Sequence, residues 1–268
     1  MRAGLPMYDP PEMRPAVDAW WDGVASALRA EGVPDVPDRL DRDLPFDVLW
    51  SAPDLLLAQA CGFPLVGAWA GQLEYLVTPR YAAPGCEGSS YCSFIVVAAD
   101  SPARCIDELR GARCSINSRI SHSGFNALRA HVAPLARGGA FFGSVALSGG
   151  HWESLNEIVR GTADVAAIDC VSYELFRRCR PETAAATRVV GRTQYAPGLP
   201  YVTRIGAAKA LRDRLVAGLL RAFADPSLAD VRAELLITGV EVLPVAQYRC
   251  MTDRAEDARR RRYVELDG

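Results

Sequence analysis

From residue 100 onward the chain alternates between strand-like and helix-like segments, a pattern few architectures accommodate. The runs ARCSIN (112–117), FFGSVALS (141–148), ADVAAID (163–169) and TRVVGRT (187–193) read as strands. Between them, SPARCIDELRG, the stripe Phe125, Leu128, Val132 and Leu135, HWESLNEIVRG (151–161) and VSYELFRRC read as helices, two of them stopped by Gly111 and Gly161. Strands joined through crossover helices predict an α/β protein with a mainly parallel sheet.

The remainder is less regular. Residues 2–8 read as a short strand, with Asp9 as N-cap of a helix carrying Met13, Val17, Trp20, Trp21, Val24 and Leu28 on one stripe. PFDVLW (45–50) is expected as a strand, followed by Ser51 as the N-cap of a helix through DLLLAQA. Further strands are expected at 63–70, 73–78 and 92–99, an extended crossing at 194–203, and a mostly helical return from 207 with a short strand VEVLP before a charged final helix.

Composition excludes several classes. A net charge of −2 over 268 residues gives no field that favours nucleic acid. The Arg259–Arg262 run alternates with Glu256, Asp257 and Glu265 and reads as a solvated face. No apolar run reaches the roughly 18 residues of a membrane span, and MRAGLPMYDPPEM has no secretory core. The chain as written is therefore expected in the cytoplasm, or in the periplasm if a leader has been removed or the start lies elsewhere. The eight Cys form no CxxC pair, so no metal site is expected, and no cofactor motif is found. Cys86 and Cys92 flank a Gly/Ser turn and are a candidate disulfide in an exported protein.

Four segments, FDVLWSAPDLLLA, YCSFIVVAADSP with IDELRGARCSIN, SRISHSG, and GGHWESLNEIVRGTADVAAID, resemble the substrate-binding proteins of phosphate/phosphite/phosphonate ABC transporters. The resemblance spans roughly residues 40–205. It implies an α/β, two-lobed periplasmic-binding-protein-like (type II) fold, with lobe one at 1–92 plus 204–268 and lobe two at 93–203. It further implies two hinge crossings, a central ligand cleft between the lobes, and closure of those lobes on a small anionic ligand by a monomer that hands it to a permease.

The loop SRISHSG lies between a strand end and a helix start, where free N–H groups and the helix dipole attract anions. Ser121 and Ser123 add hydroxyls and Gly124 admits close backbone approach; the local alternative is a plain N-cap. The family's matching Ser-Thr-Ser-Gly loop holds phosphonate oxygens, which implies that role for Ser121, His122 (in place of Thr), Ser123 and Gly124. His151, at the start of the next helix, matches a ligand-facing His, and Asp169, ending ADVAAID, matches a polar cleft residue or serves as a helix N-cap. Tyr8 and Ser51 are expected at strand ends facing the cleft, and Tyr91 at the first hinge covering the ligand. Arg119 and Arg192 are further candidates, each weak evidence in so Arg-rich a chain.

Other readings remain in view. Ser121, His151 and Asp169 have the residue types of a hydrolytic triad, but no GxSxG elbow accompanies them. An enzyme or a ligand sensor on the same fold, as in thiamine-pyrimidine or menaquinone biosynthesis, is the alternative to a transport protein, since fold alone does not choose among them.

Overall fold

The computed structural model describes residues 1–136 and 139–266. The chain divides into two compact units, Met1–Ala82 with Pro197–Gln247, and Ala83–Ala196 with Tyr248–Gly268. The chain thus passes from one unit to the other three times. The sequence reading drew the boundaries at 92/93 and 203/204 and kept 204–268 in the first lobe. The last helix, Arg249–Arg260, instead packs against the helix Ala127–Val132 of the second unit.

The first unit holds a five-stranded sheet in the order Arg2–Gly4, Leu55–Gln59, Tyr201–Arg204, Leu73–Tyr81, Ile237–Glu241. The first two strands are parallel; Tyr201–Arg204 is antiparallel to both neighbours, and Ile237–Glu241 is antiparallel to Leu73–Tyr81. The helices Arg14–Ala30 and Lys209–Ala224 pack together beside it. Trp20 donates its indole N–H to the Tyr201 hydroxyl at 2.8 Å and meets Phe223 edge-on at 4.9 Å.

Several expectations fail in this unit. Residues Phe46–Trp50 form a helix, Leu55–Gln59 a strand, and Gly62–Val66 a helix. The Leu-rich run satisfies a helical stripe, but all five residues Leu55–Gln59 are buried in a strand with partners on both sides. A continuous apolar run is what a doubly covered strand requires. Ser51 consequently closes a helix rather than opening one. The strand expected through Tyr8 stops at Gly4, and Pro6–Tyr8 is a turn of 3₁₀ helix. Asp9 is no N-cap: its carboxylate receives Arg42 at 2.6 and 3.0 Å.

The second unit agrees better with the expected alternation. Its sheet runs Thr187–Arg192, Ser93–Ala98, Val165–Asp169, Arg113–Ile116, Ser144–Leu147. The last three strands are mutually parallel, while Ser93–Ala98 is antiparallel to both neighbours. Alternate residues of Val165–Asp169 enter two cores. Val165 and Ala167 pack with Ile95, Leu128 and Phe141; Ala166 and Ile168 pack with Val96, Leu155 and Phe176.

Gly218 marks the closest approach of the two long helices of the first unit. A Cβ there would lie 2.7 Å from Leu28 Cδ2 and 3.0 Å from Leu28 Cα. Helix propensity alone makes Gly218→Ala stabilising by about 1 kcal/mol. The contact with backbone reverses the sign, and urea denaturation of G218A is expected to show a loss of about 1–3 kcal/mol; a gain would show that the helices part without cost.

Candidate functional site in the second unit

Three parallel strands end at one edge of the second sheet; the loops after two of them carry Asn117 and Ser148, and the third ends in Asp169 itself. Carboxyl ends of parallel strands are where open α/β sheets place ligand loops. After Ile116 the chain turns through Asn117–Ile120 and starts a helix in an unusual way. His122–Asn126 is a π-helical turn, with Asn126 N–H bonded to the Ser121 carbonyl at 3.0 Å and Ala127 N–H to the carbonyl of His122. A regular helix, Ala127–Val132, continues from it. Such wide turns recur at functional sites.

Ser121 is the N-cap. Its Oγ accepts the Gly124 N–H at 3.1 Å and lies 3.4 Å from Ser123 Oγ. Capping uses an oxygen lone pair and leaves the hydroxyl proton available as a donor. Ser123 Oγ lies 2.8 Å from Nε2 of His151. His151 opens the helix His151–Val159 and is brought there by Gly149, whose φ of +88° only glycine adopts easily, and by a chain of hydroxyls. In that chain Ser115 donates to Ser154 at 3.0 Å and Ser154 meets Ser148 at 2.7 Å.

Asn117 joins this group, although the sequence reading did not single it out. Its Nδ2 lies 3.5 Å from His151 Nε2, and a Cβ on Gly124 would sit 2.0 Å from its Oδ1 and 3.2 Å from His151 Cε1. Gly124 is therefore required so that Asn117 can lie over the helix start. Asn117 Oδ1 and His151 Nδ1 are buried and meet no hydrogen-bond partner among the described residues. The only advance signal for Asn117 was its place at the end of the strand ARCSIN, directly before SRISHSG.

The other expected residues divide. His122 is buried, and its Nδ1 faces Asn126 Nδ2 at 3.2 Å. Asn126 also donates to the Met251 carbonyl at 2.9 Å and receives Arg129 at 3.0 Å. His122 thus belongs to a polar network that holds the last helix. Asp169 caps the helix Cys170–Cys179, its Oδ1 accepting the N–H groups of Val171 and Ser172 at 2.8 and 3.0 Å. Tyr91 is buried in the second unit with its ring 6.4 Å from that of His122. Tyr8 belongs to the first unit, packed edge-on against Tyr81 at 5.2 Å, where the two help to line a small pocket with Trp20, Gln59 and Tyr201. Ser51 is exposed in the first unit, donates to the Asp47 carbonyl at 2.9 Å and accepts the Trp69 indole N–H. Arg119 is engaged by Glu265, and Arg192 by the ring and hydroxyl of Tyr195.

Both histidines of the loop region are held neutral. Burial pushes His151 down to about 4; burial and the nearby Arg254 charge push His122 down to about 3. The site therefore offers neutral donors and helix-start N–H groups instead of a fixed cation. Among the described residues no group of three His, Cys, Asp or Glu side chains is arranged to hold a metal ion, and no helix is long and apolar enough to cross a membrane.

The depressed histidines make stability depend on pH. The unfolded chain takes up protons near 6.5 and the folded protein resists them until far lower pH, so stability is complete above about pH 7 and falls as pH drops toward 4. At pH 5 each histidine is expected to remove roughly 2 kcal/mol. Chemical denaturation at pH 7.5 and pH 5 checks this, with His151→Gln expected to flatten the dependence by about that amount relative to the wild type.

The family model for the periplasmic phosphonate-binding protein of ABC transporters matches residues 54–248. No curated protein matches the sequence. A binding-protein component of an ABC phosphonate transporter from Pseudomonas aeruginosa superposes with a TM-score of 0.79 at 15% identity, covering 98% of this chain and 87% of that one. A Prochlorococcus marinus protein in complex with methylphosphonate gives 0.76 at 14% identity over 97% and 98% of the two chains. A Xanthomonas citri protein bound to ATP gives 0.72 at 17% identity over 98% of each. These likenesses establish the two-lobed periplasmic-binding-protein fold, and the family match establishes the lineage: the chain belongs to the phosphonate substrate-binding proteins of ABC transporters.

Proposed function

We propose that the chain captures a small oxyanion of the phosphonate or phosphate class on the Ser121–Gly124 turn, outside the cytoplasm, and delivers it to an ABC permease without chemical change. The observation that carries this reading is the convergence of Ser123, His151 and Asn117 on one helix start whose cap, Ser121, keeps its hydroxyl proton. Helix-start N–H groups and hydroxyls suit a tetrahedral oxyanion, which accepts several hydrogen bonds at once. Asn117 Oδ1 and His151 Nδ1 add buried hydrogen-bonding capacity that the protein's own groups do not use. In this reading Asp169 shapes the site by fixing the start of its helix, and Tyr91, Tyr8 and Ser51 are secondary candidates.

The 2.8 Å contact of Ser123 with His151 is also the geometry of a nucleophile and its base. Catalysis would require a third group to orient the imidazole. His151 Nδ1 has none, and Asp169 Oδ1 is occupied by two backbone N–H groups. Binding without turnover is the reading this arrangement favours.

The test is calorimetry with methylphosphonate, phosphate, phosphite and sulfate. The double variant Ser121→Ala/Ser123→Ala is expected to lose about 2–4 kcal/mol of affinity for the tightest of these, while its folding stability falls by only about 1 kcal/mol, the loss of one cap. A double variant that loses stability yet binds normally reduces the turn to a cap. Because His151 is neutral above about pH 5, His151→Gln is expected to weaken binding without altering its slope between pH 6 and 8; a slope that changes in the variant would show that imidazolium binds the ligand.

A further inference from the structure

Two cysteines of one short hairpin, Cys86 and Cys92, meet Cys170 in the second unit, beside Tyr91 and Asp169. Cys86 Sγ lies 3.5 Å from Cys170 Sγ, and Cys92 shares a thiol hydrogen bond with Cys170. The backbone is built to bring them together. Cys86 begins a short hairpin in which it pairs with Tyr91, and the next residue, Cys92, receives the Cys170 N–H on its carbonyl at 3.1 Å. Gly85, at φ +90°, passes so close that a Cβ would lie 2.9 Å from Cys170 Cβ and 3.1 Å from Cys92 Sγ. Cys86, Cys92 and Cys170 are unbridged thiols in the structure. The Cys86–Cys92 pairing expected from the CEGSSYC spacing is thus not the contact the fold makes.

We propose that Cys86 and Cys170 are a reversible disulfide site, closed by exchange with a low-molecular-weight disulfide such as oxidised glutathione. The sulfurs need to approach from 3.5 Å to bonding distance, about 2.05 Å. Cys86 is half-buried, whereas Cys92 and Cys170 are buried. The thiol of Cys170 is held above its ordinary range by its contact with Cys86 and by burial, and that of Cys92 by its contact with Cys170 and by burial. Cys86 is therefore the attacking group. Its thiolate displaces one half of the small disulfide as a thiolate and carries the other half as a mixed disulfide. Cys170 then loses its proton, attacks the Cys86 sulfur and expels the second half. Two protein thiols are oxidised, one small disulfide is reduced to two thiols, and the two protons leave on those thiols. The product ties the hairpin bearing Tyr91 to the helix start capped by Asp169. The inference stands on the thiol geometry and is independent of which ligand the protein binds.

The experiment incubates the folded protein with oxidised glutathione, blocks residual thiols with an alkylating agent, and maps peptides without reduction. The expected result is the loss of two of the eight alkylatable thiols, a single Cys86–Cys170 cross-linked peptide, no retained glutathione, and full reversal by dithiothreitol. Cys170→Ala is expected to retain one glutathione on Cys86, and Cys92→Ala to cross-link as the wild type does. Three results overturn the proposal: eight alkylated thiols after treatment, a wild-type protein that keeps glutathione on Cys86, or a cross-link joining a different pair. The wild-type map decides the matter even if a variant fails to fold.

Discussion

Burial of the strand Val165–Asp169 on both faces is the constraint from which the second unit follows. Each of its five residues is buried, and alternate side chains feed two separate cores. A strand in that position needs partners on both edges and layers above and below it. The helices Ala127–Val132 and His151–Val159 help to supply those layers; they follow Arg113–Ile116, the parallel neighbour of Val165–Asp169, and Ser144–Leu147, the parallel strand beyond it. Once the strands run parallel, their carboxyl ends and the following helix starts fall at one edge. Core packing thus places the loops bearing Asn117 and Ser148 and the strand end at Asp169 on the same edge of the sheet.

What those loops present is hydrogen-bonding capacity with little formal charge. The histidines are neutral because they are buried, and Arg119 and Arg192 are engaged with Glu265 and Tyr195. A buried cation would attract an anion strongly but would itself be costly to desolvate. Dipoles of N–H and O–H groups, fixed by a cap, a π-turn and a serine chain, avoid that cost and are already oriented. Under the proposed function, such a site would distinguish ligands by the placement of their oxygens more than by their total charge.

The same helix-start geometry brings the thiols together. Cys170 is the first residue of the helix that Asp169 caps, and Cys92 lies at the start of the strand paired with Asp169. A hairpin of a few residues then returns Cys86 to the same place. One junction thus joins a backbone cap, a buried tyrosine and three sulfur atoms, so a covalent change at the sulfurs acts directly on the segment carrying Tyr91.

The sequence by itself determined the alternation of the second unit, the helix His151–Val159, the strand Val165–Asp169 and the capped loop Ser121–Gly124, because these depend on local periodicity, Gly stops and short-range capping. It also carried the family resemblance, through motifs whose spacing survives in one chain. It did not determine residues 45–66, where LLLAQ satisfies a helical stripe and a doubly buried strand equally; the partners Arg2–Gly4 and Tyr201–Arg204, far away in sequence, decided for the strand. Nor did it show Asn117 on Gly124, the pairing of Cys86 with Cys170, the departure of Ser51 from any strand end, or the last helix on the second unit. Apart from the approach of Asn117 to Gly124, seven residues on, these depend on contacts between segments tens of residues apart. Local propensity carries no information about which distant surfaces meet, and the burial that neutralises His122 and His151 exists only after they have met.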